Sequence, residues 1–272
     1  MPTLTTTDDT QLYYDDWGTG RPVVFVHGWS LCNASWDHQL PVFIREGLRC
    51  VAPDRRGHGR SSRPGTGYDF DTLADDLAAL LDRLDLREVT FVAHSMGAGE
   101  VVRYLSRHGA GRVARIALLA PITPYLRKSP DNPHAVDAAQ FEMLAAALGD
   151  DRAAWFAASA PGFFGAGQPD CHASAALIDW GIRMILDTPL KVQLDTLHTH
   201  TSTDFRPDLA AVNVPTLVIH GDIDQSAPID LTGRPTAAQI AGARLEVYSG
   251  APHGLMFTHQ QRLHHDLLAF IR

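Results

Sequence analysis

The sequence predicts an α/β protein with a mostly parallel β-sheet and helices on both of its faces. Short β-branched and aromatic runs, such as residues 23–26 and 89–93, alternate with segments whose apolar residues recur at helical spacing. Residues 23–26 are continuously apolar, which is typical of a strand buried on both faces. Strands that alternate with helices form β-α-β units and hence a parallel sheet. With 272 residues, of which 45% are hydrophobic, the chain can build a large core.

The first half of the chain supplies most of the sheet. Residues 3–7 and 12–17 are expected to pair as antiparallel strands around a turn at Asp8 and Asp9. The later strands are expected at residues 23–26, 49–53, 89–93 and 113–119. Helices are expected at residues 36–44, after an N-cap at Asp71 and after Ser95.

The alternation is interrupted once, after residue 121. From residue 122 to about 205 strand-like runs vanish, and helical spacing appears at residues 141–148 and 177–186. We therefore predict a core domain of residues 1–121 and 206–272, with a helical cap of residues 122–205 inserted in it. Two further strands, at residues 215–221 and 244–248, and a helix at residues 260–271 complete the predicted core.

Composition narrows the classes of partner. The net charge of -8 and the lack of a Lys/Arg-rich block argue against nucleic acid and anionic membranes, so a small-molecule substrate is expected. The first residues lack the basic and apolar regions of a signal peptide, and no stretch approaches membrane-spanning length, which predicts a cytoplasmic protein. The three cysteines are widely spaced, as expected of reduced thiols.

Ser95 marks the point where a predicted strand turns directly into a helix. Such a turn strains the residue at the junction and requires small neighbours, a need that Ala93, Gly97 and Gly99 meet. It also presents the hydroxyl beside a helix N-terminus, which favours developing negative charge. Ser95 is therefore our candidate nucleophile.

A serine hydroxyl needs a base and a group that orients this base. In an open parallel sheet both come from residues that follow strands, because the working crevice lies beyond the carboxyl ends of the strands. Asp222 and Asp224 follow one strand, and spacing alone does not separate them. His253 follows the last strand on a Pro/Gly loop, whereas its rivals His259, His264 and His265 belong to the final helix.

The oxyanion of a tetrahedral intermediate needs two hydrogen-bond donors. The backbone N–H groups of Met96, after the nucleophile, and Trp29, after the third strand, are the candidates, with Gly28 as a flexible neighbour. An apolar substrate pocket is expected from aromatic and aliphatic side chains, namely Trp29, Phe163, Phe164, Trp180, Ile185 and Leu255.

Two other histidine-containing segments are not assigned a catalytic or metal-binding role. His58, in the glycine-rich loop after Asp54, is expected to be exposed. His198 and His200 lack a carboxylate or cysteine at ligand spacing, so no metal site and no cofactor is predicted.

The chain resembles the α/β-hydrolase superfamily and, within it, the cofactor-free bacterial haloperoxidases and aryl esterases. The likeness extends over nearly the whole chain and is carried by Phe25-Val-His-Gly-Trp29, Asp54-Arg-Arg-Gly-His-Gly-Arg-Ser-Ser62, Tyr68-Asp-Phe-Asp-Thr-Leu-Ala-Asp-Asp-Leu77, His94-Ser-Met-Gly97, Pro215-Thr-Leu-Val-Ile-His-Gly-Asp222 and Ala251-Pro-His-Gly254. The order of Ser95, an aspartate and His253 along the chain is also that of α/β-hydrolases.

The resemblance implies an α/β-hydrolase fold and ester hydrolysis by Ser95, Asp224 and His253, with Asp224 chosen because the family uses the second carboxylate of the Gly-Asp-x-Asp turn. It also implies that some members perhydrolyse carboxylic acids with hydrogen peroxide, and that the peracid then oxidises halide without haem or metal. Relatives with altered caps hydrolyse lactones, lactams or amides.

This sequence departs from the family pattern at two positions near the site. Ala93 replaces the usual first glycine of the turn, and alanine is small enough to fit. Ser30 stands where haloperoxidase-like members commonly carry a proline, which would shift the carbonyl of the oxyanion loop toward peroxide. We therefore predict a serine hydrolase of small carboxylic esters or lactones. The alternatives are a perhydrolase, an amide or lactam hydrolase, and a non-catalytic ligand-binding protein.

Overall fold

A computed structural model describes residues 2–272 and contains an eight-stranded sheet. The strands are β1 (Thr3–Thr5), β2 (Gln11–Trp17), β3 (Pro22–Val26), β4 (Arg49–Pro53), β5 (Val89–His94), β6 (Val113–Leu119), β7 (Thr216–Gly221) and β8 (Arg244–Tyr248). Their order in the sheet is β1-β2-β4-β3-β5-β6-β7-β8. The pairs β1·β2 and β2·β4 are antiparallel, and all later pairs are parallel. The predicted fold class is confirmed.

Helices cover both faces of this sheet. They are α1 (Leu40–Arg45), α2 (Phe70–Arg83), α3 (Met96–His108), α4 (Ala138–Phe164), α5 (Ala175–Asp187), α6 (Leu190–Ser202), α7 (Arg206–Ala210), α8 (Gly233–Gln239), α9 (Leu255–Thr258) and α10 (Gln260–Ile271). Buried residues of α2 and α3 form one hydrophobic core against the sheet, and those of α1 and α10 form a second. No helix within residues 2–272 is long and apolar enough to cross a bilayer.

Three helices, α4 to α6, lie between β6 and β7, where the sequence predicted a helical insertion. Helix α4 is longer than the predicted segment and bends at Asp151, whose φ of -146° and ψ of 85° are not helical. We keep the division into a core of residues 1–121 and 206–272 and a cap of residues 122–205 as a proposal.

The structure corrects two of the predicted helix starts. The helix expected at residues 36–44 is split into a 3₁₀ turn (Asn33–Trp36) and α1, with Pro41 in the first turn of α1. A proline is tolerated there because the first N–H groups of a helix have no intrahelical acceptor. Helix α2 is capped by Asp69, not Asp71, because the backbone of Asp69 is extended and its carboxylate accepts from the Thr72 amide at 2.9 Å.

The prediction that His58 is exposed is wrong. Its side chain is fully buried, its ring lies 5.3 Å from the ring of His27, and its Nδ1 donates to the Arg56 carbonyl at 2.9 Å. Burial lowers the pKa of His58 to about 3, so the imidazole is neutral at pH 7.

Candidate active site

Ser95 joins β5 to α3 in a strained conformation. Its φ is 53° and its ψ is -116°, and its amide donates to the Leu119 carbonyl of the neighbouring strand at 2.9 Å. A non-glycine residue in such a region costs about 1–3 kcal/mol and persists only when its surroundings enforce it. The side chain is only 5% exposed, so its hydroxyl faces an enclosed space.

The small residues around Ser95 are needed for close packing. A Cβ on Gly97 would lie 2.6 Å from the Val26 carbonyl oxygen, and one on Gly99 would lie 2.6 Å from the ring of Phe205. Ala93 is fully buried within regular strand β5, where glycine's conformational freedom is not required. Alanine at this position is therefore compatible with the turn.

The structure brings three residues that are distant in the sequence into one hydrogen-bonded chain. The His253 Nε2 lies 2.9 Å from the Ser95 Oγ, and the His253 Nδ1 lies 2.7 Å from the Asp224 Oδ2. His253 and Asp224 are 5% and 6% exposed, respectively. This geometry lets the imidazole accept the serine proton while the carboxylate orients the ring.

Both carboxylate oxygens of Asp224 are held in place. The Oδ1 accepts from the amides of Ser226 and Ala227, each at 2.8 Å, and the Oδ2 also accepts from the His220 Nε2 at 3.0 Å. Burial alone would raise the pKa of Asp224, but the electrostatic interaction with His253 and the hydrogen bonds from His220 and His253 lower it well below its usual value. The carboxylate therefore stays ionised.

Asp222, the other acid that spacing left open, has a different place. Its Oδ1 accepts from the Gly250 amide at 2.7 Å, and the residue is exposed. Two of the rival histidines also lie elsewhere, since the ring of His259 packs near Tyr248 and that of His264 near Phe43. Of the candidates, only Asp224 and His253 extend the chain from Ser95.

The residues that carry the two predicted oxyanion donors are close to Ser95 in different ways, since Met96 follows it in the chain and Trp29 lines the same cavity. Met96 is the first residue of α3, so its N–H has no intrahelical acceptor. Trp29 follows β3, and its indole N–H donates to the Gln193 carbonyl at 3.1 Å and to the Thr196 hydroxyl at 3.0 Å, both on α6. Helix α6 thereby fixes the side chain of the loop that carries this donor.

The role of Gly28 differs from the flexibility that we expected. A Cβ at this position would lie 2.6 Å from the His94 Nδ1, so glycine is required for close approach. The next residues of the loop are also constrained, because the Ser30 φ is 59° and its carbonyl accepts from the Thr188 hydroxyl at 3.2 Å.

Sequence reasoning missed His94, although this residue directly precedes the nucleophile. Its Nε2 donates to the His253 carbonyl at 3.1 Å, and the two rings are 4.7 Å apart. Burial is the main reason that the pKa of His94 falls to about 3. His94 is thus a neutral side chain that supports the backbone of His253.

A cavity of about 410 Å³ opens onto Ser95 and His253. Its wall is mostly apolar and includes the aromatic side chains of Trp29, Phe141, Trp155, Phe156, Phe163 and Phe164. No aspartate, glutamate, lysine or arginine of the described residues lines it. A site of this size and polarity suits a small uncharged ligand.

The predicted pocket residues divide into two groups. Trp29, Phe163, Phe164 and Ile185 line the cavity. The other two predictions are wrong, because neither side chain reaches it. Trp180 packs perpendicular to Phe257 at 6.0 Å between ring centroids, and Leu255 is fully buried in the core below the site.

His198 and His200 lie on different sides of α6. Two residues apart on a helix are rotated by about 200°, so His198 is exposed on one side while His200 is buried on the other. Residues 2–272 contain no group of three histidine, cysteine or acidic side chains arranged to hold a metal ion.

Comparison with known proteins identifies the family. Residues 21–260 match the family described as "alpha/beta hydrolase fold". The chain is 43% identical to the non-heme chloroperoxidase CPO-A1 of Kitasatospora aureofaciens, in a match that covers 100% of this chain and 99% of that protein. It is 35% identical to the bifunctional esterase/perhydrolase DCH of Acinetobacter calcoaceticus, with 100% of both chains covered. The solved structure of a bromoperoxidase from Bacillus anthracis superposes with a TM-score of 0.94 at 37% identity and covers 99% of each chain. The chain therefore belongs to the α/β-hydrolase family, in the group of non-heme haloperoxidases and related esterases.

Proposed function

We propose that the protein is a serine hydrolase that cleaves small uncharged carboxylic esters or lactones through an acyl-enzyme. The observation that carries this proposal is the unbroken hydrogen-bonded chain from the Ser95 Oγ through His253 to Asp224, with separations of 2.9 and 2.7 Å. The chain ends at a cavity without ionic side chains among the described residues, which suits a neutral substrate.

The reaction follows from the positions of the three side chains. His253 Nε2 removes the proton from Ser95 as the Oγ attacks the ester carbonyl, and the same proton is then given to the departing alcohol. The amides of Trp29 and Met96 donate to the oxyanion of each tetrahedral intermediate. Asp224 stabilises the positive charge on His253 during both steps. Water, activated by His253, then attacks the acyl carbonyl and releases the acid and Ser95.

A second candidate is perhydrolysis, which the named activities of the chloroperoxidase and esterase/perhydrolase relatives favour. In that reaction hydrogen peroxide replaces water as the group that attacks the acyl-enzyme, and the product is a peracid. The conformation of Ser30 favours hydrolysis. Its φ of 59° is closed to proline, whose ring fixes φ near -65°, so the loop differs here from that of proline-bearing relatives.

The test is a burst experiment with 4-nitrophenyl acetate. We expect a rapid release of about one equivalent of 4-nitrophenol followed by slower turnover, because acylation precedes hydrolysis. The Ser95→Ala variant should lose the burst and about 10⁶-fold in turnover while remaining folded. Turnover that persists in pure Ser95→Ala, or no reaction with any of a panel of esters, would contradict the proposal. An assay of bromide oxidation with acetate and hydrogen peroxide measures perhydrolysis in the same samples.

A further inference from the structure

His200 is one of the polar side chains of the cavity lining whose hydrogen-bonding capacity is not fully used within the protein. The hydroxyls of Ser159 and Thr201 donate to carbonyls one turn earlier in their own helices, those of Phe156 and Leu197. The Thr196 carbonyl, one turn earlier in α6, interacts with the His200 imidazole and opposes the effect of burial on its pKa, but the His200 Nδ1 is buried without a well-formed hydrogen bond. Ten buried side-chain polar atoms of the described chain have no well-formed hydrogen bond, and of the residues that carry them only His94 and His200 line the cavity. The His94 ring is already held by its hydrogen bond to the His253 carbonyl.

The place of His200 puts it close to the reacting groups. The residue is 8% exposed, and its ring meets the ring of Trp29 edge-on, with centroids 5.6 Å apart. Trp29 also supplies one of the proposed oxyanion donors. His200 lines the same cavity as Ser95 and His253.

His200 is a neutral group in this position. Burial lowers its pKa to about 4, so at pH 7 its ring carries one N–H donor and one nitrogen acceptor. A phenylalanine or leucine would pack against Trp29 equally well without leaving a polar atom unpaired. Packing alone therefore does not account for a histidine here.

We propose that His200 determines specificity by forming a hydrogen bond to a hydroxyl group of the substrate, so that the preferred substrates are neutral hydroxy esters or hydroxylactones. A hydroxyl both donates and accepts, and so it pairs with whichever ring nitrogen faces the cavity. The aromatic walls take the apolar remainder of the molecule, and no side chain of the described cavity wall would neutralise a substrate charge. This inference rests on the proposed function and defines its substrate class.

The test compares esters in which a hydroxyl is replaced by a methyl group of similar size. One pair varies the acyl part, 4-nitrophenyl 3-hydroxybutyrate against 4-nitrophenyl 3-methylbutyrate. The other varies the alcohol part, 2-hydroxypropyl acetate against 2-methylpropyl acetate, with each chiral ester used as separate enantiomers. In at least one pair we expect the ratio of kcat/KM for the hydroxyl ester over the methyl ester to fall at least about tenfold in His200→Phe. His200→Gln, which keeps a hydrogen-bonding group, should retain part of the preference.

The controls separate this inference from the proposed function. His198→Phe makes the same change on the exposed side of α6 and should leave the ratio unchanged. If His200→Phe is poorly folded, the ratio of kcat/KM for the hydroxyl ester over the methyl ester is compared between wild type and His200→Gln, in which we expect a partial fall. Unchanged ratios in both pairs would overturn the role of His200 while ester hydrolysis stands. Inert esters in the wild-type protein would instead overturn the proposed function.

Discussion

Replacing Asp224 by asparagine tests the catalytic assignment directly, because the structure dictates how the new amide must lie. The Asp224 Oδ1 accepts two backbone N–H groups at 2.8 Å, so an asparagine oxygen would occupy this position. The reverse orientation would set its NH₂ group against both donors and lose two hydrogen bonds, at a cost of about 1–3 kcal/mol for each buried group left unpaired. The amide NH₂ therefore faces His253 and His220, and the His220 Nε2 keeps its hydrogen bond to the Ala227 carbonyl at 2.8 Å.

This orientation reverses the tautomer of the catalytic imidazole. The His253 Nδ1, 2.7 Å from the carboxylate in the native protein, would have to accept a hydrogen bond, so its proton would move to Nε2. A protonated Nε2 cannot take the proton of Ser95. We expect kcat/KM for 4-nitrophenyl acetate to fall about 10⁴-fold, which corresponds to about 5.4 kcal/mol of transition-state stabilisation.

The matched control is Asp222→Asn, two residues earlier on the same turn. Its side-chain oxygen keeps the hydrogen bond that the Gly250 amide now donates to Asp222, and the site is exposed. Activity should stay within about twofold of wild type, as expected for a surface change of about 0.5 kcal/mol or less. More than a tenth of wild-type activity in folded Asp224→Asn, or an equal loss in Asp222→Asn, would refute the reasoning.

Three further predictions concern the surroundings of the site. Gly28→Ala would place a Cβ 2.6 Å from the His94 Nδ1, so both ester turnover and the thermal unfolding midpoint should fall, and an unchanged midpoint would contradict the close packing. Thr196→Val removes one of the two acceptors of the Trp29 indole and should lower kcat more than it raises KM, whereas a change confined to KM would show that this bond does not position the oxyanion loop. The depressed pKa of His58, about 3 against 6.5 when unfolded, means that the unfolded chain takes up the proton first. The free energy of unfolding should therefore be highest above pH 6.5 and fall by up to about 1.4 kcal/mol per pH unit for this group as the pH drops toward 3. Chemical denaturation of His58→Gln should show a shallower decline, and an equal slope would refute the assignment.

The sequence predicted the candidate site best where a chemically suitable residue directly follows a predicted strand. Catalytic groups of a parallel sheet lie just after its strands. The apolar runs that mark the strands therefore predicted Ser95 and His253 and left Asp222 and Asp224 as the two candidates for the acid. The structure distinguishes these neighbours through contacts that spacing does not encode, since the His220 ring and two backbone amides all converge on Asp224.

Residues whose role depends on tertiary packing were beyond sequence reasoning. His58 lies in a glycine-rich loop that looks exposed, but the folded chain buries its ring against His27. Tryptophan is a common residue type in apolar pockets, but Trp180 packs against Phe257 and does not reach the cavity. Whether a side chain of the cap points into the cavity or away from it depends on how the helices pack together. The break in α4 at Asp151 was not predicted, because this residue is neither proline nor glycine.

The helices between β6 and β7 form part of the cavity wall and are also hydrogen-bonded to residues at the proposed catalytic site. At the end of α4 the Phe163 carbonyl accepts from the Gly254 amide at 2.9 Å, next to His253, the proposed base. On α6, Thr196 accepts from the indole of Trp29 at 3.0 Å, beside the proposed oxyanion donor. A shift of either helix would therefore displace a reacting group by the same movement that reshapes the pocket. Because misplacement by about 1 Å can cost about 10²-fold in rate, substrate range and turnover in this protein cannot vary independently, and changes in these helices should alter kcat as well as KM.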